Sequence, residues 1–166
     1  MKYTIEEMQP SDWEQVKNIY LEGIQTGTAT FQAGAPSWED WNQGHLGVCR
    51  LVARSGKGVL GWVALSLTSG RDCYRGVVEV SIYIGTNFQG QGIGTELLRR
   101  VVSCSEENGI WSLYCAIIRE NAASIAMHKK CGFREIGIKE KVAKMSNGVW
   151  HDVVLMERRS KTVGID

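Results

Sequence analysis

A glycine-rich turn, Gln89-Gly90-Gln91-Gly92-Ile93-Gly94, lies between the β-branched run Val77 to Ile84 and a segment where Ile93, Leu97, Leu98, Val101 and Val102 recur at helical spacing. A strand that passes through glycines into a helix N-terminus constrains this chain more than any other feature. Glycines let the main chain approach a ligand closely and take conformations closed to other residues. The free N–H groups of a first helical turn point outwards, and that end carries about half a positive charge. A phosphate is stabilised there without a lysine.

The remaining elements are read around this turn. Lys2 to Met8 is expected to be a first strand, and Ser11 with Glu14 makes a capping box for a helix carrying Trp13, Val16, Ile19, Tyr20 and Ile24. Residues 27–36 form a loop, and Ser37 caps a short helix with Trp38 and Trp41. Strands Cys49 to Arg54 and Val59 to Leu67 flank the turn Ser55-Gly56-Lys57-Gly58. After the glycine turn, the long helix stops at Asn108-Gly109 and is followed by a strand from Trp111 to Ile118. A helix from Asn121 ends at Gly132, and two strands, Phe133 to Val142 and Val149 to Glu157, are joined at Ser146-Asn147-Gly148. The order β-α-α-β-β-β-α-β-α-β-β predicts an α/β fold: a mixed, mostly antiparallel sheet of about seven strands, with about four helices on both faces. One domain is expected over residues 1–159, with a disordered tail over 160–166.

Composition narrows the function. Nineteen Lys and Arg against 18 Asp and Glu leave a net charge of +1, without the clustered positive charge on which nucleic-acid binding rests. Five cysteines at 49, 73, 104, 115 and 131 form no Cys-x-x-Cys pair and no histidine-bearing cluster, so reduced, mostly buried thiols and no metal site are expected. No apolar stretch has the length of a signal peptide or a membrane span, and a cytoplasmic location is expected. Among the six tryptophans, 13, 38, 41, 62 and 111 fall at core-facing spacing; Trp150 is the exception.

Three phosphate-loop readings compete for the glycine turn. A Walker A loop is excluded because no Gly-Lys-Ser/Thr closes the run. A dinucleotide fold needs Gly-x-Gly-x-x-Gly after a first strand and an acid ending the next, whereas the next strand here ends in Ile117-Ile118-Arg119. Gln-x-x-Gly-x-Gly after a fourth strand resembles instead the acyl-CoA loop of the GNAT superfamily of N-acetyltransferases. Asn121-Ala122-Ala123-Ser124 and Cys131-Gly132-Phe133 are similar to two downstream signatures of that superfamily. The resemblance covers nearly the whole chain and implies acetyl-CoA as acetyl donor. It places Gln89, Gly90, Gln91, Gly92, Ile93, Gly94 and Thr95 at the diphosphate. It also places Ile82, Tyr83 and Ile84 along the pantetheine arm, on a central strand whose backbone is exposed by a bulge. Asn121, Ser124 and Lys130 are further candidates for the cofactor, and capping by Asn121 is compatible with that role.

Tyr74-Arg75-Gly76-Val77-Val78-Glu79, His128, Thr28-Ala29-Thr30-Phe31 and Gly148-Val149-Trp150-His151-Asp152 resemble the phosphinothricin and methionine sulfoximine N-acetyltransferase branch. The resemblance implies a small amino-acid-like amine as acceptor, with Phe31, Arg71, Tyr74, Arg75, Trp150 and His151 as substrate-binding candidates. A guanidinium fork suits an amino-acid carboxylate. An amine attacks only as the free base, which calls for a proton acceptor near the thioester. Glu79 is the candidate, against a structural ion pair with Arg75. His128 stands where many members carry a tyrosine that protonates the leaving thiolate; donor and packed histidine are both open. A homodimer joined through the hairpin around Gly148 is expected by resemblance. The alternatives are a peptide or ribosomal-protein N-terminal acetyltransferase and a non-catalytic acyl-CoA-binding module.

Overall fold

The computed structural model describes residues 1–166. Its elements are β1 (Thr4–Glu7), α1 (Trp13–Gln25), α2 (Trp38–Gly44), β2 (Leu51–Ser55), β3 (Gly58–Leu67), β4 (Val77–Ile84), α3 (Ile93–Glu107), β5 (Ser112–Ile118), α4 (Ala122–Lys130), β6 (Arg134–Lys144) and β7 (Trp150–Arg159). Type and order follow the sequence reading throughout. The seven strands form one sheet in the order β1-β2-β3-β4-β5-β7-β6. Every pairing is antiparallel except β4 with β5. No helix is long and apolar enough to cross a membrane.

Two packed layers follow from alternation along the strands, with one slip in β3 where the β2–β3 register shifts between Ala53 and Arg54. On one face Leu60, Val63 and Leu65 of β3 meet Val78 and Val80 of β4 and Ile93, Leu97, Leu98 and Val101 of α3. On the other, Val59, Trp62 and Ala64 meet Val16 and Ile19 of α1 and Trp41 of α2. The tryptophans expected in the core are buried or half-buried, whereas Trp150 is exposed. Cys49 and Cys115 are buried, Cys104 and Cys131 are half-buried, and Cys73 is exposed.

The helix starts show how side chains set local structure. Ser37 Oγ accepts from the Asp40 amide at 3.2 Å, the cap expected for α2. The capping box expected at Ser11 and Glu14 does not form. A short 3₁₀ turn over Pro10–Asp12 precedes α1, and Asp12 Oδ2 accepts from the Gln9 amide at 2.8 Å. Asp12 is chosen because it is buried and also holds Arg54 Nη2 at 2.8 Å, while Glu14 turns outwards to Lys17.

The feature that makes a site is the seam between β4 and β5. Their parallel register runs only through Val77↔Ser112, Val78↔Leu113 and Glu79↔Tyr114. Beyond it each strand stays with its other neighbour: β4 pairs with β3 as far as Ile84↔Gly61, and β5 with β7 as far as Ile118↔Val153. The β3–β4 register is unbroken, so the bulge expected on β4 is not there. Divergence of two intact half-sheets, rather than a kink in one strand, opens the backbone.

The segment after Arg159, expected to be disordered, is folded down. The Arg159 guanidinium donates to the carbonyls of Ser160, Val163 and Gly164, and Ser160 Oγ donates to Glu106 Oε2 at 2.8 Å. The Arg159 bonds run from side chain to backbone and the Ser160 bond reaches a distant carboxylate, neither of which hydropathy registers.

Candidate active site

The parted strands enclose a cavity of about 740 Å³. Its walls are Glu79 to Ile84 of β4, Cys115 to Ile118 of β5, the glycine turn and the first turns of α3 and α4 at one end, and aromatic residues of the α1–α2 side at the other.

At the turn, Gly90 and Gly92 have φ of +75° and +83°, a region where L side chains are strained. A Cβ at either position would meet no atom of the chain within 4 Å, so open space lies in front of this backbone. The amides of residues 90–95 donate to nothing in the chain, and the first amide of α3 to find a partner is that of Glu96, on the Gly92 carbonyl. A row of unpaired amides at a helix N-terminus is a diphosphate cradle. Gly94 serves packing instead: its Cβ would fall 2.7 Å from Met127 Sδ, so a side chain here would have to displace the end of Met127 between α3 and α4. Asn121 Oδ1 accepts from the Ser124 amide at 3.4 Å, capping α4, and both residues line the cavity.

Glu79 shares a face of β4 with Ser81 and Tyr83, opposite Val78 and Val80. It is half-buried, makes no ion pair within the chain, and is the one Asp, Glu, Lys or Arg side chain in the cavity wall. Burial raises its carboxyl pKa above the ordinary value. Arg75 is engaged elsewhere, 3.4 Å from Asp72 and over the ring of Trp111. Beside Glu79 lie Tyr20, whose Oη is 3.4 Å from Thr30 Oγ1, and Tyr83, whose phenol is pushed up chiefly by burial.

His128 is 2% exposed, with its ring edge-on to Phe133 at 5.0 Å. Nδ1 lies 2.7 Å from the Ser124 carbonyl, an acceptor only, so the neutral ring carries its proton there and leaves Nε2 as a bare lone pair without a partner. Burial lowers its pKa, favouring this neutral form, which has no proton to give from Nε2.

Of the expected residues, Phe31, Glu79, Ile82, Tyr83, Ile84, Gln89, Gly90, Gly92, Ile93, Gly94, Thr95, Asn121, Ser124 and His128 line one cavity. Gln91 and Lys130 do not; both are exposed. Arg71, Tyr74 and Arg75 lie on the exposed approach to β4, where Arg71 covers the Tyr74 ring at 5.6 Å and residues 72–74 turn as a 3₁₀ helix toward solvent. Trp150 is exposed under Lys144, and His151, bonded to Glu120 at 2.9 Å, stands 6.3 Å from Phe31 outside the lining. Tyr20, Thr30, Trp41, His45, Trp62 and Ser81 were not among the expected site residues. The core-like spacing of Tyr20, Trp41 and Trp62 is genuine, and the same faces look onto the cavity. Ser81 had a signal in the sequence, since it alternates with Glu79 on the strand.

Residues 10–133 match the profile of the Acetyltransferase (GNAT) family. The chain belongs to that family. It is an acetyl-CoA-dependent N-acetyltransferase, and the unpaired amides of residues 90–95 together with the open seam fit that donor. This acetyltransferase is 31% identical to a phosphinothricin N-acetyltransferase of Alcaligenes faecalis, over 93% of this chain and 81% of that protein. It is 28% identical to an L-methionine sulfoximine/L-methionine sulfone acetyltransferase of Pseudomonas aeruginosa, over 95% of this chain and 94% of that protein. A phosphinothricin acetyltransferase from Sinorhizobium meliloti, solved in complex with acetyl-CoA, superposes with a TM-score of 0.84 at 26% identity, over 100% of this chain and 97% of that one.

Proposed function

We propose that this acetyltransferase acts on the primary amine of a small amino-acid-like substrate, with phosphinothricin and methionine sulfoximine as the two candidates. The observation that carries the reading is Glu79: a half-buried carboxylate without a cation, on the wall of the cleft where the two strands part. Its raised pKa makes it a better base than an exposed carboxylate, and it takes the proton the ammonium must lose before attack. Acetyl-CoA supplies the acetyl group as a thioester. Amides of residues 90–95 hold its diphosphate, Ile82 to Ile84 offer main chain along the seam, and an N–H of that stretch stabilises the developing oxyanion. His128 acts here as a buried neutral ring packed on Phe133, with Nε2 open to a donor, and not as the acid for the thiolate. Release of free thiol from acetyl-CoA, followed over a panel of amino acids and the two analogues, is the test. Turnover with the analogues is expected; silence across the panel would remove the proposal.

We place the enzyme in the cytoplasm as a homodimer, on its likeness to the branch. Sedimentation at micromolar concentration should give twice the chain mass.

A further inference from the structure

Away from the cleft, two of the five thiols face each other. Cys49 stands just before β2, and Cys104 lies in the last turn of α3. Cys49 Sγ donates to Cys104 Sγ at 2.7 Å, well inside the ~3.5–4.0 Å at which non-bonded heavy atoms pack. The side-chain amide of Asn108, fixed by the Cys104 carbonyl at 2.8 Å, donates to both sulfurs, 3.7 Å from each. No other pair of cysteines meets in this way; Cys131 Sγ donates to the Thr95 carbonyl at 3.8 Å, and Cys73 is exposed.

The backbone adds a second observation. Cys49 has φ of +61°, and Lys141 is the one other non-glycine residue in that left-handed region. A side chain is held there only where the surrounding structure over-determines it. The two thiols also differ in access. Cys49 is buried in the main core, and burial, the neighbouring sulfur and Glu107 push its pKa well up. Cys104 is half-buried, so its sulfur is the one that meets a dissolved oxidant first.

We propose that Cys49 and Cys104 are a modification site, forming a reversible disulfide that staples the end of α3 to the start of β2, with a hydroperoxide as oxidant. The Cys104 sulfur attacks a peroxide oxygen and breaks the O–O bond, giving a sulfenic acid and one water. The Cys49 sulfur then attacks the sulfenic sulfur. Its S–H bond breaks, the S–S bond forms, and the displaced hydroxide leaves with that proton as a second water. Two thiols are oxidised and one hydrogen peroxide is reduced to two waters. The sulfurs need to close by only about 0.7 Å to reach bonding distance. The bridge spans 55 residues of chain, so it restrains the unfolded state strongly. Neither sulfur lines the cleft, so the staple hardens the fold while leaving acetyl transfer in place.

The test uses the Cys73→Ser chain, because that exposed thiol would otherwise consume peroxide first. Of the five cysteines four then remain, and after hydrogen peroxide, denaturation and alkylation the labels per chain should fall from four to two. Dithiothreitol should restore all four, and peptide mapping should join Cys49 to Cys104. In denaturant, the oxidised chain should unfold with an equilibrium constant about 100-fold smaller than the reduced chain, a gain that Cys104→Ser abolishes. A label count other than two, a bridge between other cysteines, or an oxidised chain no more stable than the reduced one overturns the inference. Each readout is independent of the acceptor amine, so failure here leaves the acetyltransfer reading intact.

Discussion

Glu79 carries two consequences of opposite sign. As the base, its replacement by Gln should lower kcat about 100-fold or more while leaving coenzyme A affinity, measured by calorimetry, near wild type. As a desolvated carboxylate it works against the fold. Its pKa is raised in the folded state, so the native protein holds this proton more tightly than the unfolded chain does, and stability is lost as pH rises from the ordinary carboxylate value of about 4.3 through the folded pKa. Glu79→Gln should therefore melt higher than wild type at pH 7.5, and the gap should close near pH 4. The histidines behave in the reverse sense. Burial lowers the pKa of both His45 and His128, so the unfolded chain binds protons first as pH falls below about 6.5. Melting temperature should drop between pH 7.5 and 5.5, and His128→Asn should flatten that drop.

At the scale of elements, the Asp12 carboxylate ties three pieces together: it accepts from the Gln9 amide before α1, holds Arg54 of β2, and shares that guanidinium with Glu6 of β1. Asp12→Ala removes one partner of a buried pair and should cost about 3 kcal/mol in denaturant unfolding, with Asp12→Asn costing less. Gly92→Ala places a Cβ at a left-handed position, costing about 1–2 kcal/mol, and pushes it into the space in front of the cradle amides. Weakened coenzyme A binding by calorimetry is the expected result. The elements themselves were legible because their periods are clean: 3.6 in Ile93 to Val102, 2 in Val78 to Ser81. What the sequence did not show depends on partners far along the chain. Ser11 and Glu14 fit a local capping pattern, yet Asp12 wins because Arg54 stands opposite it. The exposed backbone of β4 was expected from a bulge, but it arises from two strands that keep different neighbours, which no single strand encodes.

For the molecule as a whole, the cofactor end of the site was readable because glycines at a strand-to-helix junction have few other uses. The acceptor end was not. Trp41 and Trp62 look like core because they are core, and only the closed fold shows that one side of that core is a wall. The arginines before β4 match a carboxylate-binding expectation by type, but their turn faces solvent. The seam between β4 and β5 gives the resting protein a core that lacks one strand's worth of partners. Whatever lies in it is a structural member as much as a reactant, and its occupancy is felt on both half-sheets at once. Coenzyme A at a hundred times its dissociation constant should thus add about 2.7 kcal/mol to unfolding. Deuterium uptake should slow in step along residues 80–84 and 115–118, as though a missing plank had been laid between them.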